Sequence, residues 1–263
     1  MSAKTRSIVQ DLTTIAWITA LEGVKTRLMP LVLGLLLFGV LLAAFAGSLS
    51  VTEGEQIQAA ILGSYLRLTG VLVLTLFVLN AQVRTFSDKG LELILSLPVP
   101  RSHYYFGRLA GFCLIALMVA LLFAATLLFY AAPLQVALWG LSFFLELLII
   151  VALSLLSLFT FNQVTGAFFT VLAVYLLSRV MTTLILVGQG PILPQQETFI
   201  WAINQMLLGL AFFLPDLDRF TCSSWLVYET GSWSDVGFVL GQGLLYLLFL
   251  SAAALIDLYR KNL

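Results

Sequence analysis

Long apolar blocks with few polar interruptions dominate this chain. Five of them, roughly 29–49, 59–83, 105–130, 137–160 and 165–188, and a sixth at about 236–258, each hold around 20 apolar residues or more. A helix of about 20 such residues crosses a hydrocarbon core of roughly 30 Å, so each block predicts a membrane-spanning helix. The stretch 199–214, FIWAINQMLLGLAFFL, is different. It contains Asn204 and Gln205, stops at Pro215, and reaches only about 24 Å at 1.5 Å per residue. Two readings fit it: a re-entrant helix entering the outer leaflet, or an amphipathic helix resting on the outer surface.

The segment 4–27 ahead of the first block is too polar to cross. Ile8, Leu12, Ile15, Leu21 and Val24 recur at helical spacing, with Ser7, Asp11, Thr14, Glu22 and Lys25 at other angles. That pattern predicts a helix along the cytoplasmic interface, ending where Pro30 opens the first span. The AAFAGS stretch at 43–48 resembles a cleavage site. The polar region before it is long for a secretory signal, so the first helix is expected to stay uncleaved.

Composition agrees with the blocks. Of 263 residues, 61 % are hydrophobic and 10 % charged, with a mean hydropathy of +1.06, whereas soluble domains average about a quarter charged. Net charge is zero, which gives no case for nucleic-acid binding. Orientation follows from the basic residues beside the spans. Lys4, Arg6, Lys25, Arg27, Arg84, Lys89, Arg101, Arg108, Arg260 and Lys261 fall on one face, which is expected to be cytoplasmic. Glu53, Glu55, Glu197, Asp216, Asp218, Glu229 and Asp235 fall on the other, with only Arg219 against them. Both termini are then inside and the number of crossings is even, as six satisfies and seven does not.

Residues 86–108, FSDKGLELILSLPVPRSHYYFGR, form the main loop on the basic face. Ser87 or Asp88 offers a side-chain oxygen to cap a helix. Leu91, Ile94 and Leu95 make an apolar edge, Lys89, Glu92 and Ser96 another, and Pro98 and Pro100 end the element. A short, sharply stopped helix over 87–97, joined directly to the third span, is suited to transmit a push.

Gly90, Glu92, Leu93, Leu95, Leu97, Pro98, Val99 and Arg101, followed by Tyr104, Tyr105, Gly107 and Arg108, resemble the signature loop of the ABC-2-type permeases, the membrane subunits of one class of ATP-binding-cassette exporters. LPDLDRF at 214–220 adds weaker similarity. The resemblance implies one all-α membrane domain over 1–263, with an interface helix, six spans, a coupling helix at 87–97, and an external region at 189–235 whose re-entrant hairpin precedes the sixth span. It implies location in the plasma membrane, as in a bacterial inner membrane. The chain lacks a Gly-x-x-x-x-Gly-Lys-Ser/Thr loop. It is therefore expected to bind no cofactor and to be no enzyme itself, with ATP and Mg held by two copies of a separate ABC ATPase. Coupling to that ATPase falls to Asp88, Gly90, Glu92, Leu95, Pro98 and Arg101. A second permease copy is expected, as a homodimer or as a heterodimer with a related chain. Asn204, Gln205, Pro215 and Asp216 are candidates for the external gate. The implied function is export of a hydrophobic or amphiphilic cargo. The alternative is mechanical: a subunit that drives an extracytoplasmic partner with little or no transport.

Three ionisable residues lie inside the spans. Counting from the basic ends puts Arg67, Glu146 and Arg179 about 25 Å in, at one depth. Buried charge in a membrane is costly unless paired or hydrated. The spans carrying Glu146 and Arg179 are joined by a tight turn, so these two can pair, with Arg67 as a third member. Otherwise the arginines snorkel to headgroups and Glu146 finds a backbone or water partner. Gly107-x-x-x-Gly111 and Gly237-x-x-x-Gly241 allow close helix approach, by packing within the chain or along a dimer seam. Trp139, Trp201, Trp225 and Trp233 read as an aromatic belt at the outer boundary. Cys113 and Cys222 are too far apart to pair. His103 is read as solvated, and no metal or nucleophile motif stands out.

Overall fold

In a computed structural model, residues 3–49, 53–87, 101–189 and 198–260 can be described. The loop positions Asp88, Gly90, Glu92, Leu95 and Pro98 lie outside the described residues. Among the described residues the chain is helical, without strands: α1 (Ala3–Lys25), α2 (Leu28–Leu49), α3 (Gly54–Ser87), α4 (Arg101–Leu127), α5 (Pro133–Phe161), α6 (Val164–Gln189), α7 (Thr198–Phe213), a 3-10 turn (Leu217–Arg219), α8 (Ser223–Tyr228) and α9 (Trp233–Arg260). Helices satisfy their own backbone groups, the condition for crossing lipid. Six of them, α2 to α6 and α9, are long and apolar enough to do so, which makes this a multi-pass membrane protein. They alternate in direction, so one end of the bundle gathers Arg27, Arg84, Arg101, Arg108 and Arg260. This basic end faces away from an acidic end that holds Glu53, Glu55, Asp216, Asp218, Glu229 and Asp235.

Local chemistry sets the helix limits. Pro30 and Pro133 sit in the first turns of α2 and α5, where a missing N–H leaves nothing unpaired. α4 ends at Leu127, earlier than its apolar run, because Phe129 and Tyr130 turn back onto Thr126 and Leu127 with i to i+3 bonds before Pro133. Asn162, at φ 57°, closes α5 by donating its N–H to the Leu158 carbonyl. Only Asn162 and Gln163 separate α5 from α6, so these two are antiparallel neighbours.

α5 is the axis of the bundle. Of its most apolar stretch 78 % is buried, against 22 % for α2 and for α9, and it packs against α3, α4, α6, α8 and α9. Trp139 belongs to this core and not to a boundary belt. It is 1 % exposed and stacks on Phe143 at 5.1 Å between ring centroids, with Phe123 on Phe143 at 5.9 Å. Trp225 is buried as well, while Trp233 is exposed.

α1 docks lengthwise on α4. Ile15 lies over Gly107, Thr19 over Gly111 and Gly23 under Ile115, so the two helices run in step over three rungs. A Cβ on Gly111 would collide with the Thr19 Cβ and stand 2.8 Å from the Ala16 carbonyl oxygen, closer than any side chain tolerates. The packed face of α1 is therefore the small one, Ala16, Thr19 and Gly23. Val24, on the apolar stripe of the sequence pattern, is exposed together with Trp17 and Ile18. Close approach of small residues is how helices associate where lipid already satisfies large apolar side chains.

Candidate functional site

Pro215 ends the run of α7, and the chain then turns irregularly through 214–222 deep inside the bundle. Thr221 is the pivot. Its φ of 47° puts a β-branched residue in the left-handed region, at a cost of about 1–3 kcal/mol unless surrounding contacts hold it. Four groups do so. Its N–H donates to the Ser142 hydroxyl (3.0 Å), and its own hydroxyl donates to Glu146 Oε2 (2.8 Å). Its carbonyl accepts from Arg67 Nη1 (3.1 Å) and from Arg179 Nη2 (3.5 Å).

Arg179 reaches further along the same turn. Its Nη1 donates to the Phe220 carbonyl (2.8 Å), to the Leu217 carbonyl and to the Thr221 hydroxyl (3.3 Å). Between Arg179 Nη1 and Glu146 Oε1 the separation is 3.9 Å, a loose ion pair, so the tighter link between guanidinium and carboxylate runs through the threonine hydroxyl. Glu146 is fully buried, and the buried Tyr175 side chain also lies beside its carboxylate. The three ionisable residues thus meet on one turn of backbone. Glu146 stands about 20 Å along α5 from Pro133, and Arg67 about as far along α3 from Gly54. Non-helical backbone at that depth needs protein partners, and α3 and α6 supply one each and α5 two.

The flanks are tied as well. Asn204 donates to the Gly188 carbonyl (2.9 Å), which seats α7 on the end of α6. Thr182 donates to Asp216 (3.1 Å), so α7 and the turn come back along α6 from its end to Arg179. Asp216 also pairs with Arg219 at 2.9 Å. That arginine is 64 % exposed and lies over the Phe238 ring at 4.7 Å, so the pair itself adds little stability. Gln205 is exposed. Ser64 and Ser223 share a hydrogen bond (3.2 Å), and Gln135 receives the Gly231 N–H while donating to the Glu229 carbonyl (3.1 Å). Burial raises the pKa of the Cys222 thiol, which points at the Asp218 and Arg219 carbonyls. Both cysteines are free.

At the basic end a second buried hub surrounds Arg108. All five of its N–H groups are used: Nε on Gln82 (3.1 Å), Nη1 on Thr19 (3.2 Å) and Glu22 (3.0 Å), Nη2 on the Ala81 carbonyl (3.1 Å) and Thr85 (3.2 Å). Gln82 in turn donates to the Tyr104 hydroxyl (2.8 Å), and the guanidinium lies 5.0 Å from the Phe112 ring centre. One side chain therefore fastens α1, α3 and α4 together. Sequence spacing marks Arg108 only as a boundary arginine, because its hydrogen-bond partners lie on two distant segments, α1 and α3. Arg101 ties the start of α4 to the end of α9 through the Leu258 carbonyl (3.2 Å). His103 is half-buried, with Nδ1 shut away from solvent, and is not the solvated residue expected.

No protein-family model matches the chain, and no curated protein does. Among the described residues no three His, Cys, Asp or Glu side chains gather closely enough to hold a metal ion. The two hubs are the chemistry the described residues present: one pins an irregular turn inside the acidic half of the bundle, and the other joins the helices that flank the 88–100 segment.

Proposed function

We propose that this chain is the membrane-spanning permease subunit of an ATP-driven ABC transporter of the ABC-2 type, exporting a hydrophobic or amphiphilic cargo. The observation that carries the reading is the segment from Gly90 to Arg108, with its Glu-Leu-x-Leu-x-Leu-Pro-Val-x-Arg pattern and its Tyr-Tyr-x-Gly-Arg entry into α4. Nucleotide is hydrolysed by a separate ATPase pair that grips the 87–97 coupling helix from the cytoplasm. The basic end is the cytoplasmic one by the distribution of arginine and lysine, and the membrane is the plasma membrane.

The fold supports transmission. Beyond the coupling helix the chain is bolted at Arg101 to α9 and at Arg108 to α1 and α3, so a push on 88–100 moves four helices as a body. α1 is the interface helix of this assembly. At the opposite end, α7 and the 214–222 turn form the re-entrant external gate, and the Arg67–Glu146–Arg179 clamp sets its resting position. Opening is a rigid-body rearrangement of that hairpin against α3, α5 and α6. Two permease copies face each other, and the exposed apolar faces of α2 and α9 meet lipid or the second copy.

A mechanical role without transport is the second reading. Its support is the run of polar ties from Ser223 to Gly231 onto α3 and α5, which would carry motion to an external partner without opening a path. Co-purification with the ATPase, followed by hydrolysis assays across candidate amphiphiles, tests both. Cargo-stimulated hydrolysis that is lost in Glu92→Ala is the expected result. Hydrolysis stimulated only by an external protein would favour the mechanical role. A chain that works with no ATPase would refute both.

A further inference from the structure

At the basic end, a cleft of about 350 Å³ lies between the α1–α2 junction and α3. Its chemistry is graded. Arg27, Asn80 and Arg84 line it at the basic end of α2 and α3, and Leu31, Val73, Leu76 and Phe77 line it further along those helices. From Arg84 back to Val73 is about 16 Å along α3, the length of a headgroup and the upper part of an acyl chain. Glu22 also borders the cleft, but its carboxylate is engaged by Arg108 at 3.0 Å. Arg27 and Arg84 have no ion pair among the described residues. Among the described residues, the two guanidinium groups thus stand without a carboxylate partner above an apolar trough.

We infer that this cleft is a binding site for an anionic phospholipid, with the phosphate between Arg27 and Arg84 and one acyl chain against Leu31, Leu76 and Phe77. Basic pockets between membrane helices take acidic headgroups in this way, at roughly fivefold in affinity per arginine. A free phosphate shares the headgroup chemistry but has no use for the apolar wall. A neutral lipid fits the wall but leaves the arginines unanswered. The lipid's leaflet follows from the orientation proposed above, whereas the binding does not depend on it.

The test is native mass spectrometry of the purified chain, without ATPase, offered phosphatidylglycerol and phosphatidylcholine in equal amounts. Phosphatidylglycerol is expected to be retained several-fold over phosphatidylcholine. Arg27→Gln/Arg84→Gln should abolish that preference, and Leu76→Trp, which fills the trough but keeps both arginines, should lower retention. Arg260→Gln, a basic residue away from the cleft, should change nothing. Equal retention of the two lipids, a preference that survives Arg27→Gln/Arg84→Gln, or retention unchanged in Leu76→Trp overturns the inference, as does displacement of phosphatidylglycerol by millimolar inorganic phosphate. Because no ATPase is present, a missing ATPase partner would sink the transporter reading and leave this result standing.

Discussion

Thr221 shows how side-chain chemistry holds a backbone in a conformation it would otherwise leave. Its hydroxyl accepts from Arg179 and donates to Glu146, so it joins a buried acid to a buried base that are 3.9 Å apart directly. Thr221→Val keeps the volume and branching but removes the bridge, taking the hydroxyl donor from the buried Glu146 Oε2. The expected loss is about 1–3 kcal/mol, read from unfolding in detergent, with Thr221→Ser costing well under half of that. Equal losses for the two would contradict the bridging role. Arg67, Glu146 and Arg179 are legible in the sequence because ionisable residues stand out in apolar runs, and a count along each helix puts them level. Thr221 and Ser142 are not legible, since hydroxyl residues are common in loops and membrane helices. Arg108 is misjudged for another reason: an arginine at a span boundary normally faces headgroups, and nothing local announces that Thr19, Glu22 and Gln82 converge on it.

Two helix pairings with the same sequence spacing separate at the scale of elements. Gly107-x-x-x-Gly111 is filled by α1, whereas an added Cβ at Gly237 or Gly241 would meet no neighbouring element among the described residues within 4 Å. Gly111→Ala should destabilise the chain by about 1–3 kcal/mol, since the Ala16 backbone carbonyl cannot step aside. Gly237→Ala should leave monomer stability unchanged or raise it by about 0.5–1 kcal/mol, through better helix propensity. Melting the two variants side by side checks this, and a loss in Gly237→Ala equal to that in Gly111→Ala would contradict the packing described. The amphipathic pattern of α1 is readable, but which face packs is not. The pattern ranks residues by size and hydrophobicity, while contact within a membrane selects the smallest side chains.

For the whole molecule, the six long helices are legible because hydrocarbon thickness fixes a minimum apolar length. The centrality of α5 is hidden, since a helix that is apolar all round reads alike whether lipid or protein surrounds it. For the same reason Trp139 passes for a boundary residue although it lies in the core. The joined helices at the basic end and the clamped turn at the acidic end are where buried polar contacts tie the bundle, and the proposed function has displacement pass from one to the other. The proposed drive, an ATPase acting on the 87–97 segment, is tested at position 92. In a background with Cys113 and Cys222 replaced by alanine, Glu92→Cys should form a disulfide with a cysteine in the groove of the ATPase and be protected from impermeant thiol reagents in intact cells. Labelling of that introduced thiol from outside the cell, or no cross-link to any ATPase, would rule that drive out.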